Sequence, residues 1–274
     1  MSDITIVCCY NNKEQFEKFI GQFPSQTITP EIISIDNTSN NYTSCASAFN
    51  SVTAKISTPY VIFSHQDIIF ESPNVISDFI QSLEKITSKD ILGVAGVKAD
   101  IRSTFSNIYD GIANKKQVGQ NRVNGLEECE TVDECFFGGY TEYFKENPFD
   151  EVICNNWHLY AVEQCLRAKK LGGKVYVCSL DIYHYSEGAH NSKLHDNFLT
   201  LSKAYHKDYA YICTPCCRGN TGLIRRNWGH YVRNTRLGIK PENPFKRKAL
   251  GLIRKATKKS KFVHFLLFGD GIFK

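Results

Sequence analysis

Hydrophobic and polar positions follow two periods along the first two hundred residues, and the periods alternate. Ile4-Thr5-Ile6-Val7-Cys8-Cys9 is an unbroken apolar, β-branched run, the pattern of a strand buried on both faces. Asn11-Asn12 ends it, and Phe16, Phe19, Ile20 and Phe23 then recur at helical spacing over Lys13 to Phe23. A second buried strand is predicted at Glu31 to Ile35, stopped by the polar run Asp36 to Asn41. A helix follows from Ala46 to Ile56 and breaks at Thr58-Pro59. Tyr60 to Phe63 reads as a third strand, Pro73 to Ile86 as an amphipathic helix and Ile91 to Val97 as a further strand. Later, Asn155 to Leu171 reads as a helix stopped by Gly172-Gly173, leading into a strand over Lys174 to Cys178. Strands alternating with helices imply an α/β fold: a mostly parallel sheet with helices on both faces.

Such sheets bind ligands where their strands end. The polar clusters Tyr10-Asn11, Asp36-Asn37 and His65-Gln66-Asp67 each follow a strand directly, so one shared pocket is expected. There Tyr10 offers a ring for stacking on a base, and Asp36 an acceptor for the base's hydrogen bonds. Asp67 offers an oxygen ligand for a divalent cation bridging two phosphates. Mg²⁺ or Mn²⁺ needs only one or two protein ligands in such a site, and acts on a departing diphosphate as a Lewis acid. Each residue also has an architectural reading: Asp67 as a turn or cap residue, Asp36 as an Asx-turn, Tyr10 as a packing residue.

Composition and charge narrow the class. Hydrophobic residues at 42% and charged residues at 22% are globular values and exclude disorder. The start of the chain has no basic region or small-residue cleavage site, and the longest apolar run, Phe262 to Phe268, is too short to span a bilayer. A cytoplasmic protein, soluble or peripheral at the inner face of a membrane, is expected. The eleven cysteines are accordingly read as reduced, buried small hydrophobes, and the lone Cys213-Thr214-Pro215-Cys216 pair lacks the second pair of a zinc site. Fourteen Lys or Arg lie between Arg218 and Lys261, opposed only by Glu242. This charge break places a boundary near residue 210: 1–210 as the α/β domain, with halves 1–100 and 101–210, and 211–274 as a basic, partly amphipathic helical region.

Several ordered segments resemble the family 2 glycosyltransferases. They are Cys8-Cys9-Tyr10-Asn11, Ile35-Asp36-Asn37-Thr38-Ser39, Ala48-Phe49-Asn50 and Phe63-Ser64-His65-Gln66-Asp67, followed by Phe149-Asp150-Glu151, Trp157 to Glu163, Leu171-Gly172 and Ile182 to Gly188. The resemblance covers roughly residues 4 to 190, and its H-Q-D triplet is similar to a bacterial variant of the D-x-D motif. It implies a GT-A fold, a nucleotide-diphosphate sugar donor, a UDP-sugar above all, and transfer of a hexose with inversion to a glycan or lipid-linked glycan. Cys9, Tyr10, Asn11, Asp36, Asn50, His65, Gln66 and Asp67 would line the donor site. Asp67 with His184 would hold Mn²⁺ or Mg²⁺, an imidazole ligand fitting Mn²⁺ better.

Two positions depart from the family pattern. His65 replaces the first aspartate of D-x-D. The E-D-x-D that usually opens the acceptor helix reads Tyr160-Ala161-Val162-Glu163, so the usual general base falls on Ala161. Inversion needs a base within reach of the acceptor hydroxyl. Glu163, His158, Asp133 and Glu134 are the candidates, with Asp133 preferred because an apolar Cys-Phe-Phe-Gly segment follows it. The departures leave open a catalytically silent nucleotide-sugar-binding subunit. A nucleotidyltransferase would need a glycine-rich phosphate loop after the first strand, which Cys9-Tyr10-Asn11-Asn12-Lys13 does not provide. The basic region suits an anionic membrane surface over residues 218–268 better than nucleic acid or a merely solvated face, since no common RNA-binding motif accompanies it.

Overall fold

A computed structural model of the chain describes residues 2–98, 103–186, 192–223 and 243–268. The chain forms two compact units, residues 1–189 and 190–274.

The first unit opens with β1 (Ile4–Tyr10), α1 (Lys13–Ile20), β2 (Glu31–Asp36), α2 (Cys45–Thr53), β3 (Tyr60–Ser64), β4 (Ile68–Phe70) and α3 (Val75–Leu83). Short strands follow: β5 (Ile91–Gly93), β6 (Ala95–Lys98), β7 (Ser103–Ser106), β8 (Tyr109–Asp110), β9 (Lys116–Gln117), β10 (Leu126–Glu128) and β11 (Thr131–Val132). It closes with β12 (Phe136–Tyr140), α4 (Thr141–Glu146), α5 (Tyr160–Lys170), β13 (Val175–Cys178) and β14 (Ile182–His184). The main sheet has seven strands in the order β10-β13-β5-β12-β3-β1-β2. Its pairings make five strands run one way, with β12 and β10 opposed.

Alternating side chains load both faces. Ile4, Ile6 and Cys8 of β1 pack with Phe16, Phe19, Phe79 and Leu83 of α1 and α3. Val7, with Val61 and Phe63 of β3, packs on the other side with Phe49, Phe144 and Tyr160 of α2, α4 and α5. Burial of this apolar surface, at about 25 cal/mol per Å², holds the layers together. β12 wedges antiparallel between β3 and β5, and glycine is required there. A Cβ on Gly138 would come within 1.9 Å of the Val61 carbonyl oxygen.

Three local expectations change. The segment Glu31 to Ile35, expected to be buried on both faces, is the edge strand β2; only Ile35 is buried, because a single face is covered. The run Ile91 to Val97 is two strands: β5 belongs to the main sheet, and β6 joins β7 and β11 in a separate three-stranded sheet. The helix expected from Asn155 begins only at Tyr160, after Leu159 turns through the left-handed region with φ of 65°.

The second unit holds α6 (Ser192–Tyr205), the hairpin β15 (Tyr211–Cys213) and β16 (Arg218–Asn220), then α7 (Pro244–Lys259) and α8 (Lys261–Phe268). Thr214 closes the hairpin turn, its hydroxyl accepting from the Cys217 amide at 2.8 Å. Residues 225, 226, 228, 233, 236 and 240 of the basic segment, and Glu187 and Gly188 of the earlier motif, lie outside the described residues. Among described residues no helix is long and apolar enough to cross a membrane.

Candidate functional site

Register decides what meets at the rim. β1 pairs with β2 so that Tyr10 lies opposite Asp36, and with β3 so that Cys8 lies opposite Ser64. The ends of these parallel strands therefore deliver Asn11, Asn37 and His65 to one edge of the sheet. β12 enters antiparallel with Phe136 opposite Ser64, which brings the residues before it to the same edge; the His65 amide donates to the Cys135 carbonyl at 2.9 Å. β14 pairs antiparallel with β4, placing His184 opposite Ile68, and the Tyr185 amide donates to the Asp67 carbonyl at 2.8 Å. In this way His184 reaches His65, 119 residues earlier in the chain.

A cleft of about 260 Å³ opens here. Cys9, Tyr10, Asn11, His65, Gln66 and Asp67 line it, as do Asn37, Asn40, Cys45, Phe49, Ser64, Trp157 and Tyr160. Gln66 locks its floor: Oε1 accepts the amides of Asn11 and Asn12 at 3.1 and 3.0 Å, and Nε2 donates to Asn11 Oδ1 at 2.8 Å. One face of the Tyr10 ring is stacked on Phe16, with centroids 4.1 Å apart. Asp36 lies beside Tyr10 but outside the cleft lining. Its carboxylate accepts from the Thr38 hydroxyl and amide at 2.7 and 2.9 Å, which hold it below the usual carboxylate range despite its exposure. Asn37, the next residue, faces the cleft in its place.

His65, Asp67 and His184 form the chemical centre. Asp67 Oδ1 lies 3.3 Å from His184 Nε2 and 3.9 Å from His65 Nδ1. Asp67 is half-buried, and its Oδ1 makes no well-aligned hydrogen bond. One nitrogen from each histidine and one Asp67 oxygen all lie within 4.8 Å of one another. Ligands about 2.1 Å from a common small divalent ion lie roughly 3 Å apart when adjacent, so the three side chains fit such an ion. Two imidazoles and a carboxylate suit a divalent first-row transition-metal ion. The groups also tune one another. Burial pushes His65 down toward the neutral imidazole that a ligand must be, against the charge of Asp67. Burial likewise pushes down on His184, but contact with Asp67 and its charge outweigh it and leave His184 raised. For Asp67 burial is again the largest influence, pushing upward, yet contact with His184 and the charges of both histidines bring the carboxyl below its ordinary value.

Other expected residues lie elsewhere. Asn50 is turned to the segment after α4: its amide donates to the Phe149 carbonyl and to Glu151, both at 2.9 Å, and accepts the Phe149 amide at 2.9 Å. It ties α2 to that segment and does not line the cleft. Glu163 is fully buried on α5, bridged by Arg167 at 2.6 and 3.1 Å, and is equally remote from the cleft lining. His158 sits in the turn before α5, its amide bonded to Asn156, close enough for its charge to act on His65. Asp133 does not line the cleft; its carboxylate accepts from the Cys135 amide at 3.0 Å, and its charge acts on both His65 and His184. Its neighbour Glu134 is pushed well above the ordinary carboxyl range by burial, then by the charge of Asp133, while the backbone amides of Leu159 and Tyr160 oppose that rise.

Two aromatic residues also wall the cleft, and of these sequence reasoning missed Tyr160. Trp157 lines the cleft with 36% of its surface exposed, and Tyr160 places its phenol 3.0 Å from His65 Nε2. A tryptophan in the polar run Asn155-Asn156 was a usable signal. For Tyr160, at the start of an apolar helix, there was none.

The sheet order and the two-faced helical packing define a GT-A glycosyltransferase fold, shared with solved structures at low sequence identity. S. aureus TarS residues 1–349 in complex with UDP-GlcNAc match with a TM-score of 0.56 at 12% identity, covering 96% of this chain and 83% of that one. The longer TarS structure matches at 0.52 and 12%, covering 76% of this chain and 39% of that one. GalNAc-T7 with UDP, GalNAc and Mn²⁺ matches at 0.50 and 10%, covering 74% and 47%. This chain thus spans less than half of the latter two. The family model of the Glycosyltransferase like family matches residues 5–209, and the chain belongs to that family. No curated protein sequence matches it.

Proposed function

We propose that this protein transfers a hexose from a nucleotide-diphosphate sugar, a UDP-sugar above all, to a hydroxyl of a glycan or lipid-linked glycan, with inversion. The observation that carries this reading is the meeting of His65, Asp67 and His184 at the mouth of the cleft. UDP in the GalNAc-T7 structure and UDP-GlcNAc in the TarS structure support a uridine nucleotide as donor, and the Mn²⁺ of GalNAc-T7 supports a divalent ion. His65, Asp67 and His184 would hold that ion, which when bound neutralises the charge building on the leaving diphosphate. Tyr10 and Asn37 face the nucleotide, Gln66 keeps the turn after β1 rigid, and Trp157 walls the side toward α5. Asp133 is the residue assigned to take the acceptor proton, because its charge reaches both histidines. Thermal-shift titration with a panel of nucleotide sugars should give stabilisation by one UDP-sugar that is enhanced by Mn²⁺ and lost in Asp67→Ala. No Mn²⁺-dependent shift with any nucleotide sugar would overturn the reading.

A second observation favours attachment to an anionic membrane from the cytoplasmic side. On α7, Leu250 is buried while Phe245 and Leu252 are 78% and 64% exposed, among Lys246, Arg247, Lys248, Lys255, Lys258 and Lys259 with no acidic residue. Phe262 on α8 is also exposed. Aromatic and leucine side chains projecting from a basic helix suit an interface of anionic headgroups. Co-sedimentation with phosphatidylglycerol vesicles, and not with phosphatidylcholine vesicles, is expected. Salt-sensitive retention on nucleic acid in place of vesicles would reject it.

A further inference from the structure

The metal centre proposed above has three ligating side chains, and one of them is itself held by a group from the opposite side of the cleft. We infer that Tyr160 is a positioning residue of that centre: its phenol fixes the His65 imidazole so that Nδ1 faces Asp67 and His184. This inference rests on the metal reading and deepens it.

The geometry assigns separate tasks to the two ring nitrogens of His65. Nε2 lies 3.0 Å from the Tyr160 hydroxyl, while Nδ1 lies 3.4 Å from His184 Nε2 and 3.9 Å from Asp67 Oδ1. A ring nitrogen that ligates a cation carries no proton, so the other must carry it. Nε2–H therefore donates to the Tyr160 oxygen.

Tyr160 is held firmly enough to do this. Its ring is 1% exposed and wedged against Phe49, Phe137 and Phe149, with centroids 5.7, 6.0 and 6.3 Å away. A phenol buried among aromatic rings needs a hydrogen-bond partner, and His65 supplies it. The left-handed turn at Leu159 sets where α5 begins, and so where the phenol points. Partners that orient a metal-binding histidine typically contribute ten- to a hundredfold to affinity. Here a phenol does so from the position where the family resemblance expects a carboxylate.

The test is Mn²⁺ binding by the full chain, read from the electron paramagnetic resonance signal of free Mn²⁺. Tyr160→Phe should weaken binding about tenfold or more, and should have no further effect once His65 is alanine, as coupled residues require. Wild-type affinity in Tyr160→Phe, or an equal loss in the His65→Ala background, would overturn the role of Tyr160. His184→Ala and Asp67→Ala should both abolish tight binding; if both bind like wild type, the metal centre itself is wrong. Nitrogen-15 spectra of the histidines in metal-free wild type provide a check that needs no variant. The Nε2–H tautomer is expected for His65, and the Nδ1–H tautomer would overturn the inference.

Discussion

Two carboxylates of the first unit, one fully buried and one half-buried, lie in contrasting surroundings. Glu163, inside α5, is bridged by Arg167, whose guanidinium also reaches the Pro148 carbonyl at 2.6 Å. Asp67, at the rim, has two histidines at hand, yet its Oδ1 aligns a hydrogen bond with neither. A buried charge is normally paired and hydrogen-bonded, because leaving water is costly. Asp67 Oδ1 departs from this pattern at a residue that lines the cleft. The first arrangement ties α5 to the segment before it; the second is the one that the proposed function uses.

Substitutions can break that contrast. The largest effect is expected for Asp67→Ala: loss of several kcal/mol of transition-state stabilisation, roughly a thousandfold in turnover. Its melting temperature should stay within about 2 °C of wild type, since no aligned hydrogen bond to Oδ1 is lost. Calorimetry alongside a donor-hydrolysis assay checks both halves. Asp133→Asn should lower kcat about a hundredfold or more while leaving donor affinity intact, as removal of a general base does. A rise in KM alone would instead make Asp133 a binding group. Glu163→Ala should do the reverse of Asp67→Ala. Breaking a buried pair costs about 3 kcal/mol in stability, measurable by urea unfolding, with turnover per folded molecule little changed. The smallest effect is expected for Asn50→Ala, about 1–2 kcal/mol from the lost link to Phe149 and Glu151, with unchanged affinity for the UDP-sugar. A large loss of donor affinity would return Asn50 to the site.

Much of the sheet was legible because its signals are local. β1 and β3 are apolar runs with polar stops, and the stops themselves, Asn11 and His65-Gln66-Asp67, are the rim. β2 was misjudged because Glu31 to Ile35 looks the same at an edge as in the middle; only its neighbours determine how many faces are covered. Asn50 and Glu163 matched motif positions by spacing. Yet a polar side chain on a helix can serve a site or lock a neighbouring segment, and the sequence pattern is identical in the two cases.

The amino-acid order alone determined the alternation of strands and helices, the polar ends of the parallel strands and the concentration of positive charge after residue 217. These depend on residues close together in the chain, whose periodicity survives in one dimension. Tertiary structure alone decided which distant residues share the rim. His184 arrives by antiparallel pairing of β14 with β4, Asp133 by the reversed entry of β12, and Tyr160 by the turn before α5. Strand register and helix entry are collective outcomes of packing, so no local signal announces that these side chains will stand within hydrogen-bonding or charge range of His65.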